Sequence, residues 1–278
     1  MKKYFFFSIF SFFLCAAKSP NDFKIIQISI PKAGTHLGNK CIYLLTKRNP
    51  YNHVKYISNF LEGSVAFNLG FEIPIHALRQ LATLPANTFI NTHLTYSKER
   101  ADFLNKEKFI TFFIYRDPRD QIISLIFYMY KLDKWFPKLK SSSFDEILLD
   151  LIIKGSGMNG SIPPATGGID NMYNLYIPWL NAPGVLSIRF EDLVGAHGGG
   201  SSIFQYNAIK NMAHHIGLTI SKEKINEIAN KLFGNTQTFR KGEIGSWKKY
   251  FKKEHKEAFK ERAGNILIKL GYEKNFNW

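Results

Sequence analysis

The stretch FITFFIYRDPRDQIISL, residues 109–125, carries the reading on which the fold turns. Phe109 to Tyr115 is an unbroken run of β-formers and reads as the central strand of a sheet. It runs straight into Arg116-Asp117-Pro118, and a helix is expected from Pro118 to about Tyr130. Working outward, Lys24 to Ile30 (KIIQISI) is a second buried strand. A tight loop, Pro31 to Thr35, follows it, then a helix over His36 to Lys47 with Leu37, Cys41, Leu44 and Leu45 on one face. Thr88 to Asn91 is a short strand leading to Thr92-His93, and Gly184 to Phe190 is a further strand. Helices are expected around Ser202–Ile216, Ser221–Leu232 and Glu254–Leu270. Strands alternating with helices predict one α/β domain, a central parallel β-sheet flanked by helices on both faces. Strands 24–30, 109–115 and 184–189 should be neighbours in that sheet.

Composition bounds the answer. A chain of 278 residues fits one domain or at most two, and 45% hydrophobic residues suffice for a sizeable core. The formal charge of +15 points to an anionic partner: a phosphate-bearing cofactor, nucleic acid, acidic glycan or membrane surface. A lysine-rich composition that serves solubility is the plainer alternative. The two cysteines, Cys15 and Cys41, give no disulfide framework and no CxxC spacing for a thiolate zinc site, so no metal is expected.

Residues 1–17 read as a targeting segment. Lys2 and Lys3 precede the apolar run Tyr4 to Leu14, and Cys15-Ala16-Ala17 offers small residues for cleavage. The run is short for a membrane span. A cleaved signal peptide is the first reading and an uncleaved anchor the second. The chain is therefore expected to be exported or membrane-anchored, with the folded domain over 23–278. Two stretches lack regular signals. Gly155 to Gly168 reads as a solvated loop or as a lid over an acceptor site, and Gly195 to Ser202 mainly as a connector.

Three segments carry chemistry. Pro31-Lys32-Ala33-Gly34-Thr35-His36 lies between a strand and a helix, where backbone N–H groups and the positive helix end face an anion. It is not a Walker A loop, since GxxxxGK[ST] is absent. Arg116 leaves the end of the central strand, where open α/β sheets bind ligands, and arginine binds phosphate in two-pronged fashion. Phe239 to Phe251 (FRKGEIGSWKKYF) sets adjacent cations beside a glycine; alone it reads as a phosphate clamp, a solvated basic face or a nucleic-acid patch.

Together these segments resemble the sulfotransferases that use 3′-phosphoadenosine 5′-phosphosulfate (PAPS). PKAGTH is similar to that family's PKSGTT loop, and YRDPRDQIISL to its YRNPKD segment with a trailing serine. FRKGEIGSWKKYF resembles its RKGxxGDWKNxF signature, RFEDL its YEDL step and NTHL its KTHLP segment. The likeness extends from about Phe23 to Phe251. It implies a P-loop-like sulfotransferase fold and roles for matching positions. Lys32, Ala33, Gly34, Thr35 and His36 would hold the 5′-phosphosulfate. Arg116, Ser124, Arg240, Lys241 and Gly242 would hold the 3′-phosphate, with Phe190 and Phe233 beside the nucleotide. His93 would be the catalytic base, assisted by Lys32. Leu37, Phe190, Asn91 and Ser246 depart from the family's usual Trp, Tyr, Lys and Asp, which weakens the carry-over of adenine contacts and acceptor class.

The resemblance implies transfer of a sulfuryl group to a hydroxyl or amine of a small-molecule or glycan acceptor. No nucleic-acid partner is expected, and membrane association would run through the amino terminus. The rival readings are a P-loop kinase-like nucleotide enzyme and a non-catalytic binder of anionic glycan or nucleic acid. The second would need the basic residues but not His93.

Overall fold

The computed structural model of the chain describes residues 23–49, 75–131, 141–155, 167–234 and 241–278. The targeting segment 1–17, most of the 155–168 loop and Arg240 lie outside the described residues. Strands β1 (Ile25–Ser29), β2 (Phe89–Thr92), β3 (Ile110–Tyr115) and β4 (Val185–Arg189) form one sheet in the order β2-β1-β3-β4. All pairings are parallel, with Ile28 level with both Thr92 and Phe113, and Ile114 level with Ile188. The three strands expected to be neighbours lie side by side.

Strands β1, β2 and β3 are largely buried because each face of the sheet carries its own core. Ile26, Ile28 and Phe113 point into one, with Ile122 and Ile126 of a helix over Pro118–Lys131, Leu148 of a helix over Phe144–Ile153, and Trp179. Ile25, Phe112, Ile114 and Ile188 point into the other. There they meet Leu37 and Cys41 of a helix over Thr35–Thr46, Ile209 and Met212 of one over Ser202–Ile216, and Ile225 and Ile228 of one over Lys222–Leu232. Such two-sided cover is what an all-parallel sheet requires. In chain order the helices are α1 (Thr35–Thr46), α2 (Ile75–Gln80), α3 (Lys98–Lys106), α4 (Pro118–Lys131), α5 (Phe144–Ile153), α6 (Ile169–Asn174), α7 (Phe190–Leu193), α8 (Ser202–Ile216), α9 (Lys222–Leu232) and α10 (Lys253–Lys269). Among the described residues no helix is long and apolar enough to cross a membrane.

The structure corrects one boundary and adds helices. Phe190, expected to end the last strand, instead opens α7. Its side chain is buried, as a strand-end residue's would be, so apolar patterning does not register the turn of the backbone. Helices α2, α3, α5, α6 and α7 are additional to those expected, although the starts of α3 and α5 are written in the sequence. Ser97 caps the Arg100 N–H, and Ser143 with Glu146 forms a reciprocal capping box.

Helix α1 lies against the sheet at Gly38. A Cβ there would overlap Cδ1 of Ile114 and the side-chain amide of Gln27, both of which are fully buried and have nowhere to move. Gly38→Ala should therefore lower stability by about 1–3 kcal/mol through overpacking. Urea denaturation measures this; an unchanged midpoint would mean that α1 does not pack so closely.

Candidate functional site

Parallel strands end together. Ser29, Thr92, Tyr115 and Arg189 close their strands on one edge of the sheet, the edge at which open α/β folds bind ligands. A cleft of about 670 Å³, partly continuous with solvent, opens there. Lys32, Gly34 and His36 come to it from the first segment, Arg116 and Ser124 from the second, and Lys241 and Gly242 from the third. Leu37, Phe190, Val194 and Phe233 supply an apolar wall.

The first loop is shaped by backbone geometry. Gly34 caps α1 in the left-handed region at φ 113°, where glycine is favoured. A Cβ at that position would also meet the Phe190 ring at 2.8 Å. Lys32 itself sits at φ 66°, an uncommon region for a residue with a side chain, and its ammonium lies 3.9 Å from the centre of the Tyr128 ring. Two expected contacts of this loop are not made at the cleft wall. Ala33 is fully buried in the core and its N–H bonds to the Ile30 carbonyl at 3.0 Å, so neither its side chain nor its amide is directed at a ligand. Thr35 does not line the cleft, and its hydroxyl meets the Ser29 hydroxyl at 2.7 Å.

Arg116 is held from several sides. One terminal nitrogen donates to the Glu243 carbonyl at 2.8 Å, and the guanidinium lies 4.1 Å from the centre of the Phe190 ring. Its Nε is buried, and no described group accepts a hydrogen bond from it. A buried donor of this kind demands an acceptor. The neighbouring Arg119 does not reach the cleft; it is buried against Asp117 at 2.8 Å.

Asp120, to which sequence reasoning gave no role, joins the second segment to the third. Its fully buried carboxylate accepts from Gly245 N–H at 2.6 Å, Ser246 hydroxyl at 3.0 Å and Trp247 N–H at 2.9 Å. The Gly-rich stretch after α7 does more than connect. The Gly198 carbonyl accepts from the Ile244 N–H at 3.0 Å, and a Cβ on Gly198 would lie 2.5 Å from the Gly242 carbonyl. Glycine at 198 thus lets the loop lie directly against the third segment.

His93 stands just past β2, beside the cleft and not in its wall. Its Nδ1 lies 2.6 Å from the Ser29 carbonyl oxygen. A carbonyl only accepts, so Nδ1 carries the proton and Nε2 is the basic nitrogen. Some of the ring's surface reaches solvent, yet the ring is packed among protein atoms. That burial lowers its pKa to about 4; the Ser29 bond opposes the shift, and the charges of Lys32 and His36 add to it. Burial, then Lys32, also lowers His36.

The residues present fit a nucleotide carrying phosphates at both ends. Lys32, Arg116 and Lys241 supply positive charge, Arg116 offers an unused donor, and the apolar wall faces the space between them. Among the described residues Glu243 is the only acidic one in the lining, and its carboxylate is 3.4 Å from Lys249.

Comparison with known proteins agrees with this geometry. The model of the sulfotransferase domain family matches residues 22–271. Sulfotransferase 6B1 of Pan troglodytes is 27% identical over 278 residues, covering 90% of this chain and 80% of the relative. Sulfotransferase 6B1 of Mus musculus is 27% identical over 220 residues, covering 70% of this chain; the match spans 64% of the mouse protein's length. Among solved structures, mouse sulfotransferase SULT7A1 complexed with PAP superposes with a TM-score of 0.53 at 16% identity, over 88% of this chain and 85% of that one. Retinol dehydratase in complex with androsterone and inactive cofactor PAP gives 0.56 at 16% identity, over 88% and 80%. At that identity the structural likeness speaks for the fold.

The setting of His93 makes a measurable claim. Histidine NMR should show a neutral ring with the proton on Nδ1 from neutral pH downward, becoming charged only near pH 4. The unfolded chain takes up this proton earlier, near the ordinary value of 6.5, so the residue withdraws stability as pH falls from there towards 4. An imidazolium at 93 in the folded protein at about pH 6, half a unit under the ordinary histidine value, would contradict it.

Proposed function

The chain belongs to the sulfotransferase domain family, and we propose that it moves a sulfuryl group from PAPS to a hydroxyl or amine of a small-molecule or glycan acceptor, with His93 as general base. One observation carries this reading. Lys32, Arg116 and Lys241, which lie far apart in sequence, face one cleft in which the buried Arg116 Nε has no acceptor among the described residues.

In this reading the 5′-phosphosulfate lies on the loop 32–36 at the start of α1, where the helix end adds its own attraction for an anion. The 3′-phosphate lies against Arg116, Ser124, Arg240, Lys241 and Gly242. The nucleoside rests on Leu37, Phe190, Val194 and Phe233 between the two charged ends. Leucine at 37 and phenylalanine at 190 keep apolar surface there without the ring or hydroxyl usual in the family.

The transfer is in line. The acceptor oxygen or nitrogen attacks sulfur while the bond from sulfur to the bridging phosphate oxygen breaks. His93 Nε2 takes the acceptor proton, and the Ser29 carbonyl on Nδ1 steadies the ring as it becomes charged. Lys32 stabilises the negative charge that grows on the bridging oxygen. The depressed pKa of His93 keeps the base unprotonated well below neutrality. Loss of activity from protonating this residue belongs near pH 4, not near pH 6.5. In this reading residues 1–17 serve as export signal or membrane anchor and take no part in the reaction.

The nucleotide clamp is tested by calorimetry. Arg116→Ala and Lys241→Ala should each weaken binding of adenosine 3′,5′-bisphosphate by about 1.5–3 kcal/mol, the worth of a charge-assisted hydrogen bond. An analogue without the 3′-phosphate should bind almost as before. Equal losses for both ligands would indicate damage to the fold instead.

A transfer assay with labelled PAPS separates binding from chemistry. His93→Ala should lower turnover by about 10²–10⁴-fold with donor affinity nearly unchanged. Lys32→Ala should lose turnover and donor affinity together, since it meets the phosphosulfate in ground state and transition state alike. Near-normal turnover in the His93 variant would remove it from the mechanism.

A further inference from the structure

The peptide unit that follows Arg116 is gripped at both of its polar atoms. The Tyr173 hydroxyl donates to the Arg116 carbonyl at 3.1 Å. On the other side of the same plane, the Asp117 N–H donates to Glu191 Oε1 at 3.0 Å. The second oxygen of Glu191 accepts from the Tyr272 hydroxyl at 2.8 Å. None of these three side chains lines the cleft. Tyr173 belongs to α6, Glu191 to α7 and Tyr272 to the segment after α10, so three distant parts of the chain converge on one amide.

The consequence is directional. A peptide plane fixed at its oxygen and at its nitrogen cannot rotate, and that plane sets where the Arg116 Cα–Cβ bond points. At the far end of the side chain the guanidinium meets the Glu243 carbonyl, the Phe190 ring and, at 3.9 Å, the Asp120 carboxylate, while Nε has no acceptor among the described residues. Arginine recognises phosphate through a planar fork, so its worth depends on angle as well as on distance. A rotation of the plane at the backbone would swing the fork off the phosphate while leaving its charge near by.

We propose that Tyr272, acting through Glu191 and together with Tyr173, is a positioning residue for the Arg116 fork, so that the segment beyond α10 sets recognition of the donor's 3′-phosphate. The segment is anchored independently of this bond. Glu273 meets Arg119 at 2.6 Å, Trp278 lies 4.5 Å from the same guanidinium, and Arg189 lies 4.5 Å from the centre of the Tyr272 ring. Removing the Tyr272 hydroxyl alone therefore leaves the segment docked and withdraws one bond from the grip. The inference rests on the donor reading proposed above.

Calorimetry on the full chain, with adenosine 3′,5′-bisphosphate and adenosine 5′-monophosphate as probes, tests it. Tyr272→Phe keeps the ring and its contact with Arg189. It should weaken the bisphosphate by about three- to tenfold, the scale of one hydrogen bond. The monophosphate should stay within about twofold of wild type, below the scale of a lost hydrogen bond. Tyr173→Phe should repeat the pattern from the carbonyl side. The melting temperature of Tyr272→Phe should be close to that of wild type, and its KM for PAPS should rise with kcat at saturating donor unchanged. Bisphosphate affinity unchanged in Tyr272→Phe overturns the inference, as does an equal loss for both nucleotides. A wild-type protein with no preference for the bisphosphate overturns the donor reading itself, and the inference with it. Should Tyr173→Phe fail to fold, the two nucleotide affinities of Tyr272→Phe decide between these outcomes.

Discussion

The cleft depends on one buried carboxylate. Asp120 has no access to water, so its charge is tolerable only if donors surround it. Those donors are two backbone N–H groups and a hydroxyl of residues 245–247, more than a hundred positions away in the chain. The need to satisfy Asp120 folds the 245–247 turn against the start of α4. Glu243 is then close enough to receive Arg116 through its carbonyl, and Lys241 and Gly242 face the cleft. Serine at 246 suits this arrangement because its hydroxyl donates to Asp120.

The same fold gathers like charges. Lys32, Arg116 and Lys241 line one opening in a chain that already carries +15. Mutual repulsion would scatter them if their backbones were free. Each is constrained instead: Lys32 by a left-handed turn, Arg116 by its bond to Glu243 and its contact with Phe190, Lys241 by the left-handed Gly242 that follows it. Strain and repulsion held in place by surrounding structure mark sites at which a ligand supplies the missing interaction.

His93 is set apart from this cluster by its hydrogen-bond partner. Ser29 presents its carbonyl to Nδ1 and its hydroxyl to Thr35, which ties the histidine to the first residue of α1. The Tyr176 hydroxyl holds the His93 carbonyl at 2.7 Å. The ring is therefore oriented by groups that belong to β1 and to the turn after α6, and the tautomer is fixed before any substrate arrives.

The core strands and the three chemical segments were legible in the chain itself. Residues 25–29 and 110–115 carry apolar side chains on both faces, a pattern suited to a sheet covered on two sides, and local order alone places a loop and a helix after each. Lys32, Arg116 and Lys241 could be picked out because charge beside glycine or at a strand end is a local signal. The inward facing of Ala33 was not legible, because the loop's outline is visible in sequence but the direction of each amide is not. Asp120, Gly198, Glu191 and Tyr272 were silent for one shared reason: each acts on a group brought near only by folding. Sequence determined which elements form and which charges are available, since burial and turn preferences are set by neighbours along the chain. Tertiary structure decided which donor meets which acceptor, because hydrogen bonds act over about 3 Å and nothing in the order of residues states that distance.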